Sequence, residues 1–171
     1  FFDPHWMFGQ SLAGGFDIVI GNPPYIQIQV FPQAQKEKWI DQGYETYAAT
    51  ADIYCLFYER GTHLLKKGGY LAYIVSNTWL PSLTFTGIRK FLTKQLRWHS
   101  LISIQTKIFS AIVDTVVTVF QRGGIETAYD FPVFFMRERE IEYAHSLPFS
   151  QIPDDGSPIN ITSDSGRSAI L

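Results

Sequence analysis

Two kinds of apolar pattern alternate along this chain. Phe16 to Ile20 is a β-branched run broken only by Asp17, the pattern of a buried strand in a parallel sheet. Gln33 to Gly43 is polar with scattered apolar residues and reads as a short helix or a mobile loop. Asp52 then stands as an N-cap, with Ile53, Tyr54, Phe57, Gly61, Leu64 and Leu65 on one helical face. Lys66 and Lys67 fall in the last turn and Gly68-Gly69 stop that helix. Tyr70 to Ser76 is the next buried strand. Leu83 to Leu96 returns to helical spacing at Ile88, Leu92 and Leu96. Leu101 to Gln105 and Asp114 to Gln121 are further strands, the last rich in Val and Thr. The order strand, helix, strand, helix, strand, strand predicts half of an open α/β sheet, its parallel strands closed by an antiparallel hairpin.

Beyond Gly123-Gly124 the texture changes. Phe131 to Met136 reads as a strand, but the surroundings are acidic and then rich in Pro, Ser, Asp and Gly. Ser150 to Leu171 reads as a loosely held tail. A division between residues 1–122 and 123–171 follows.

Composition narrows the class. At 171 residues with 46% hydrophobic and 18% charged side chains, the chain is one globular domain, or one domain and the start of another. No apolar run approaches the roughly 20 residues that span a bilayer, and the opening FFDPHWMFG lacks the pattern of a signal peptide. Cys55 is the single cysteine, which excludes a disulfide framework and a cysteine-based metal site and points to a cytoplasmic setting. The net charge of −2 hides an asymmetry: 11 Lys and Arg stand against 8 Asp and Glu up to Arg122, and 3 against 8 after it. The densest basic run is Arg89, Lys90, Lys94 and Arg97. It is either a solvated helix face or a phosphate-contacting, DNA-binding face.

The chemistry sits where the first strand stops, at Gly21-Asn22-Pro23-Pro24-Tyr25. In open α/β sheets, ligands lie beyond the carboxyl ends of strands. Pro23 and Pro24 lack N–H groups and have fixed φ, so they form a stiff loop whose carbonyls only accept. The Asn22 side chain adds an acceptor, and Tyr25 adds a flat ring with a phenol. Two acceptors and a ring suit a planar aromatic carrying an NH₂ group. That nitrogen is a poor nucleophile because its lone pair is delocalised; acceptors holding both hydrogens draw it toward tetrahedral geometry without a strong base. A plain turn is the bland alternative, although NPPY should arise by chance in a chain this long only on the order of once in a thousand.

These blocks resemble the amino-group DNA methyltransferases of restriction–modification systems, specifically the adenine-specific, type IIG-like enzymes. FDIVIGNPPYIQ is similar to their catalytic strand and loop, DIYCLFYERGTHLLKKGGYLAYIVSNTWLPS to the helix and strand that follow, and KIFSAIVDTVVTVF to the closing hairpin. The resemblance spans roughly Phe1 to Arg122, with blocks in the family's order. It implies a partial Rossmann-like methyltransferase sheet, with residues 123–171 as the start of a target-recognition region. It implies that Asn22 and the Pro23 carbonyl hold the N6 hydrogens of adenine. Tyr25 would stack on the base after it flips from the duplex, with Phe109 as the second aromatic. Phe57 would line the adenine ring of S-adenosylmethionine beside Asn22. Duplex DNA is the implied partner.

One part of the family pattern is missing. The glycine-rich turn that binds the methionine part of the cofactor has no match, because Gly14-Gly15 directly precedes the catalytic strand. Asp3 is a poor match for the family's third-strand acid. The chain therefore reads as the C-terminal half of a catalytic domain, whose second partner is the missing N-terminal half, and as inactive by itself. Release-factor glutamine methyltransferases carry a similar loop and form the nearest alternative. A noncatalytic remnant or interaction module is the alternative from a different class. No Asp…Glu-x-Lys constellation supports a nuclease.

Overall fold

The computed structural model describes residues 14–104, 114–123, 126–137 and 139–162. One sheet frames it, built from β1 (Phe16–Gly21), β2 (Leu65–Ser76), β3 (Leu96–Ile104), β4 (Thr115–Arg122), β5 (Asp130–Arg137) and β6 (Glu140–Pro148). In space the order is β1-β2-β4-β3-β5-β6. β1 is parallel to β2 and β3 is parallel to β5, whereas β4 runs antiparallel to both of its neighbours. The parallel strands with an antiparallel closing hairpin are therefore present as the pattern predicts. Register fixes the edges: Gly21 pairs with Tyr73, Tyr73 with Thr118, Thr118 with Leu101 and Leu101 with Val133. The carboxyl ends of β1, β2, β3 and β5 thus share one edge, together with the β5–β6 turn.

The α-helices are α1 (Gln33–Asp41), α2 (Tyr54–Leu64) and α3 (Thr86–Gln95). α2 packs on β2, α3 packs on β3, and the two helices touch. Alternate residues of the sheet point into the layer between them: Leu71, Tyr73 and Val75 from β2, and Val116, Thr118 and Phe120 from β4. Trp79, Trp98 and Tyr58 fill its centre, none more than 1% exposed. α2 lies close to β2 because Gly61 has no side chain; a Cβ there would stand 2.8 Å from Leu71 Cδ1 and collide with the Tyr73 hydroxyl. Burying this much aromatic surface is a major source of stability.

Several expectations need correction. β1 forms where predicted but is not buried: it is an edge strand, with Ile18 62% and Ile20 74% exposed. The opposite face of the sheet is also only partly covered, since Ile74, Val117 and Val119 are half-buried. Asp52 does not cap α2; Ile53 holds the cap position without a side-chain hydrogen bond, and Asp52 bridges to Gln27 instead. The helix ends at Leu64, before the lysines. Residues 66–69 are looped out of the β1–β2 register, with Gly68 at a φ of 82°. Residues 33–41 form a helix rather than a mobile loop.

The texture change at Gly123 is not a break in the sheet, because β5 pairs with β3. Nor are the described residues from 151 to 162 loosely held: Ile152 and Ile159 belong to the core, each 5% exposed. Among the described residues, no helix is long and apolar enough to cross a membrane.

Candidate active site

Asn22 follows the last residue of β1, at the carboxyl edge, and its side chain is exposed. Pro23 is buried and Pro24 exposed, so one ring anchors the loop while the other faces outward. Tyr25 is 38% exposed, and its hydroxyl donates to the Ile74 carbonyl on β2 at 3.3 Å. Burial pushes the phenol above its ordinary pKa, so it remains a proton donor at neutral pH. Its ring meets Tyr54 edge to face, with centroids 6.3 Å apart. Tyr54 is fully buried, stacks on Phe85 at 5.7 Å and reaches the Thr78 hydroxyl at 3.3 Å.

The far leg of the loop is tied down as firmly. Ile28 N–H donates to the Ala51 carbonyl and Ile53 N–H to the Ile26 carbonyl, both at 2.8 Å. These bonds close the excursion from Gln27 to Asp52 into a loop with a pinned neck. Its return strand is held by Glu59, a carboxylate only 3% exposed. Glu59 accepts from the backbone N–H groups of Glu45 at 3.2 Å and Thr46 at 2.9 Å. The Thr46 hydroxyl then donates to the Cys55 carbonyl. Among the described residues no cation pairs with this buried carboxylate, and charge-assisted hydrogen bonds satisfy it. These partners sit 13 and 14 residues away in sequence, so no local periodicity discloses them.

Phe57 projects from α2 and is 41% exposed, although its neighbours Tyr54 and Tyr58 are fully buried. Its carbonyl accepts from the Tyr73 hydroxyl at 3.3 Å, and Tyr73 pairs with Gly21. The Phe57 backbone is thereby tied to the β2 residue that pairs with the end of β1, while its ring lies open to solvent. Asp52, at the neck of the loop, has its carboxyl pushed upward by burial. Among the described residues, no cluster of His, Cys, Asp and Glu could hold a metal ion. Phe109 and Asp3 lie outside the described residues.

The basic run does not form one surface. Arg89 is fully buried. Its guanidinium donates to the carbonyls of Trp79, Leu80 (3.3 Å), Ser82 (2.7 Å) and Gly156 (2.8 Å), which removes it from any phosphate-contacting role. Arg97 sits in β3 beside Gln121, four rows from the edge that carries Asn22. It pairs with Glu126 at 3.3 Å and lies 3.9 Å above the Tyr129 ring. Both corrections have one cause: sequence spacing places the four residues on a helix, but α3 ends at Gln95 and turns Arg89 inward. Of the four basic residues, only Lys90 and Lys94 have exposed side chains on α3.

Comparison with known proteins adds an independent line. Residues 2–109 match the model of the Eco57I restriction-modification methylase family. The type II methyltransferase M.PaeR7I of Pseudomonas aeruginosa is 28% identical over 160 residues, 86% of this chain and 26% of that protein. The type II restriction enzyme and methyltransferase RM.Eco57I of Escherichia coli is 36% identical over 90 residues, 52% of this chain and 9% of that one. The chain thus spans about a quarter of the first relative and under a tenth of the second. Among solved structures, the methyltransferase subunit of a type I restriction–modification system from Streptococcus thermophilus superposes with a TM-score of 0.59 at 18% identity, covering 81% of this chain and 36% of that one. The type IIG restriction endonuclease BpuSI gives 0.57 at 19% identity, covering 72% and 15%. At these identities the structural matches speak for the fold, the Rossmann-like sheet of S-adenosylmethionine-dependent methyltransferases.

Proposed function

This chain belongs to the Eco57I restriction-modification methylase family, and from that premise we propose that it supplies the catalytic loop of an adenine-specific DNA methyltransferase. The carrying observation is the exposed Asn22 at the carboxyl edge of β1, on a loop stiffened by Pro23-Pro24 and held at Tyr25. Asn22 Oδ1 and the Pro23 carbonyl accept the two N6 hydrogens of an adenine flipped out of the duplex. That localises the nitrogen lone pair on N6 for attack on the methyl carbon; as the N–C bond forms the methyl's bond to sulfur breaks, its electron pair returning to sulfur, and the surplus N6 proton leaves to water. Tyr25 stacks on the extruded base. S-adenosylmethionine, when bound, would supply the electrophilic methyl group, and Phe57 would line its adenine ring.

The remaining parts follow from the same reading. The missing N-terminal half of the catalytic domain carries the glycine-rich turn and covers the exposed side chains of β1, Ile18 and Ile20. Residues 123–171 open the target-recognition region, and the enzyme works in the cytoplasm, where its DNA is. Relatives from restriction–modification systems favour DNA over a glutamine amide as the methyl acceptor.

The test is transfer of labelled methyl from S-adenosylmethionine to duplex DNA by the intact protein, with nucleoside digestion to identify the product. N6-methyladenine is expected; label on cytosine, on protein or nowhere would overturn the reading.

A further inference from the structure

The sheet register brings a second surface to the edge that carries Asn22. β5 runs parallel to β3, so its carboxyl end and the turn into β6 lie on that edge. Four strand spacings separate β1 from β5, a lateral offset of about 19 Å. The β5–β6 ribbon also stands higher than β1. Val133 shares the row of Gly21, and Arg137 lies four residues beyond it, about 13 Å along the strand. At the tip, Arg137, Arg139, Glu140 and Glu142 line an open concavity of about 620 Å³. Ile141 and Tyr143, which alternate with the two glutamates along β6, are exposed as well.

Among the described residues these charges have no partner. Arg89 is caged by carbonyls, Arg97 is paired with Glu126, and Arg122 donates to Leu65. By contrast, among the described residues neither the Arg137 nor the Arg139 guanidinium has a hydrogen-bond or ion-pair partner, even with Glu140 and Glu142 lining the same hollow. Exposed arginines left unpaired beside carboxylates do not brace the hairpin. They are available to something outside the chain.

From this placement we infer that the β5–β6 hairpin is a DNA-reading ribbon. Its arginines contact base edges in the major groove to one side of the target adenine. The inference rests on the methyltransferase reading and adds to it the element that reads flanking sequence. A two-stranded ribbon fits the groove, and guanidinium groups match the O6 and N7 acceptors of guanine. The mixed charge decides between bases and backbone. Glu140 and Glu142 would repel a row of phosphates, but a carboxylate accepts well from a cytosine amine. With bases about 3.4 Å apart along a strand, an offset of about 19 Å corresponds to five or six base pairs from the flipped base.

The test uses the intact protein with two duplexes: one carrying the sequence it modifies, located by mapping N6-methyladenine in host DNA, and one with the flanking bases scrambled. Arg137→Ala and Arg139→Ala should each weaken binding to the first duplex roughly tenfold or more. Affinity for the scrambled duplex, and the slope of log K against log salt, should hold. Arg139→Lys keeps the charge but loses the fork and should lose discrimination too. Equal losses on both duplexes, with the slope falling by about 0.9 per arginine, would assign these residues to phosphate and overturn base reading. Unchanged binding would remove the ribbon from the DNA altogether. Failure of the unaltered protein to methylate adenine is a separate outcome that sinks the methyltransferase reading itself; indifferent variants of an active enzyme sink only this inference.

Discussion

At the level of single residues, Asn22 and Tyr25 share one loop but are held in different ways, and their variants should fail differently. Asn22 is exposed and, in the proposed mechanism, accepts from the adenine amine, so Asn22→Ala in the intact protein should remove one acceptor and leave the fold alone. The methylation rate should drop roughly 10²-fold or more. Affinity for DNA should barely change, because contacts elsewhere supply most of it. Tyr25→Ala removes a stacking platform worth about 1–3 kcal/mol, so the flipped state is lost. A 2-aminopurine at the target position, bright when unstacked, reports this directly. Tyr25→Phe gives up only the hydrogen bond to the Ile74 carbonyl and should stay largely active. Equal loss of flipping in both alanine variants would reduce Asn22 to a turn former. The loop itself was legible in the sequence because its chemistry is local: two prolines, an amide and a ring in succession. Glu59 was not, because its partners come from a separate excursion of the chain.

Among the elements, Arg89 joins three that the sequence separates. It sits on α3, holds the turn at Trp79, Leu80 and Ser82, and fixes the segment at Gly156. The Ile159 N–H bonds the Leu80 carbonyl at 2.9 Å beside it. Gly156 has a φ of 76°, and a Cβ there would fall 2.7 Å from Lys90 Cγ; only glycine lets this segment close on the helix. Arg89→Met should therefore strand several buried carbonyls, each costing about 1–3 kcal/mol. Urea unfolding should register a loss of about 3 kcal/mol or more. A loss below 1 kcal/mol would mean that water replaces the guanidinium. The basic residues of this stretch showed helical spacing, but spacing could not tell which of them turns inward. That is settled by which carbonyls the folded chain leaves unpaired nearby.

For the molecule as a whole, the sheet has one well-covered face and one half-covered face, and β1 at its border is exposed. In the proposed reading Phe57 and Asn22 offer a surface for the adenosyl end of a cofactor, and the sequence has no match to the family's glycine-rich turn for the methionine end. The chain by itself should show no S-adenosylmethionine binding in calorimetry. Micromolar binding would place the whole cofactor site within these residues and remove the need for a complementary half.

What the sequence determined by itself is local or periodic. The strands and helices appear in the predicted order, and the NPPY loop stands at a strand end, because side-chain period and proline stiffness act within a few residues. Tertiary structure decided everything that depends on who the neighbours are. The apolar run of β1 reads as buried, since composition records a preference for burial and not whether a covering layer is present. Pairing of β3 with β5 draws residues beyond Gly123 into the same sheet, although their acidic, turn-rich surroundings suggest a boundary. That pairing also lifts Arg137 and Arg139 to the edge of Asn22. They are more than 100 positions distant along the chain, and only strand register brings them onto the same edge of the sheet.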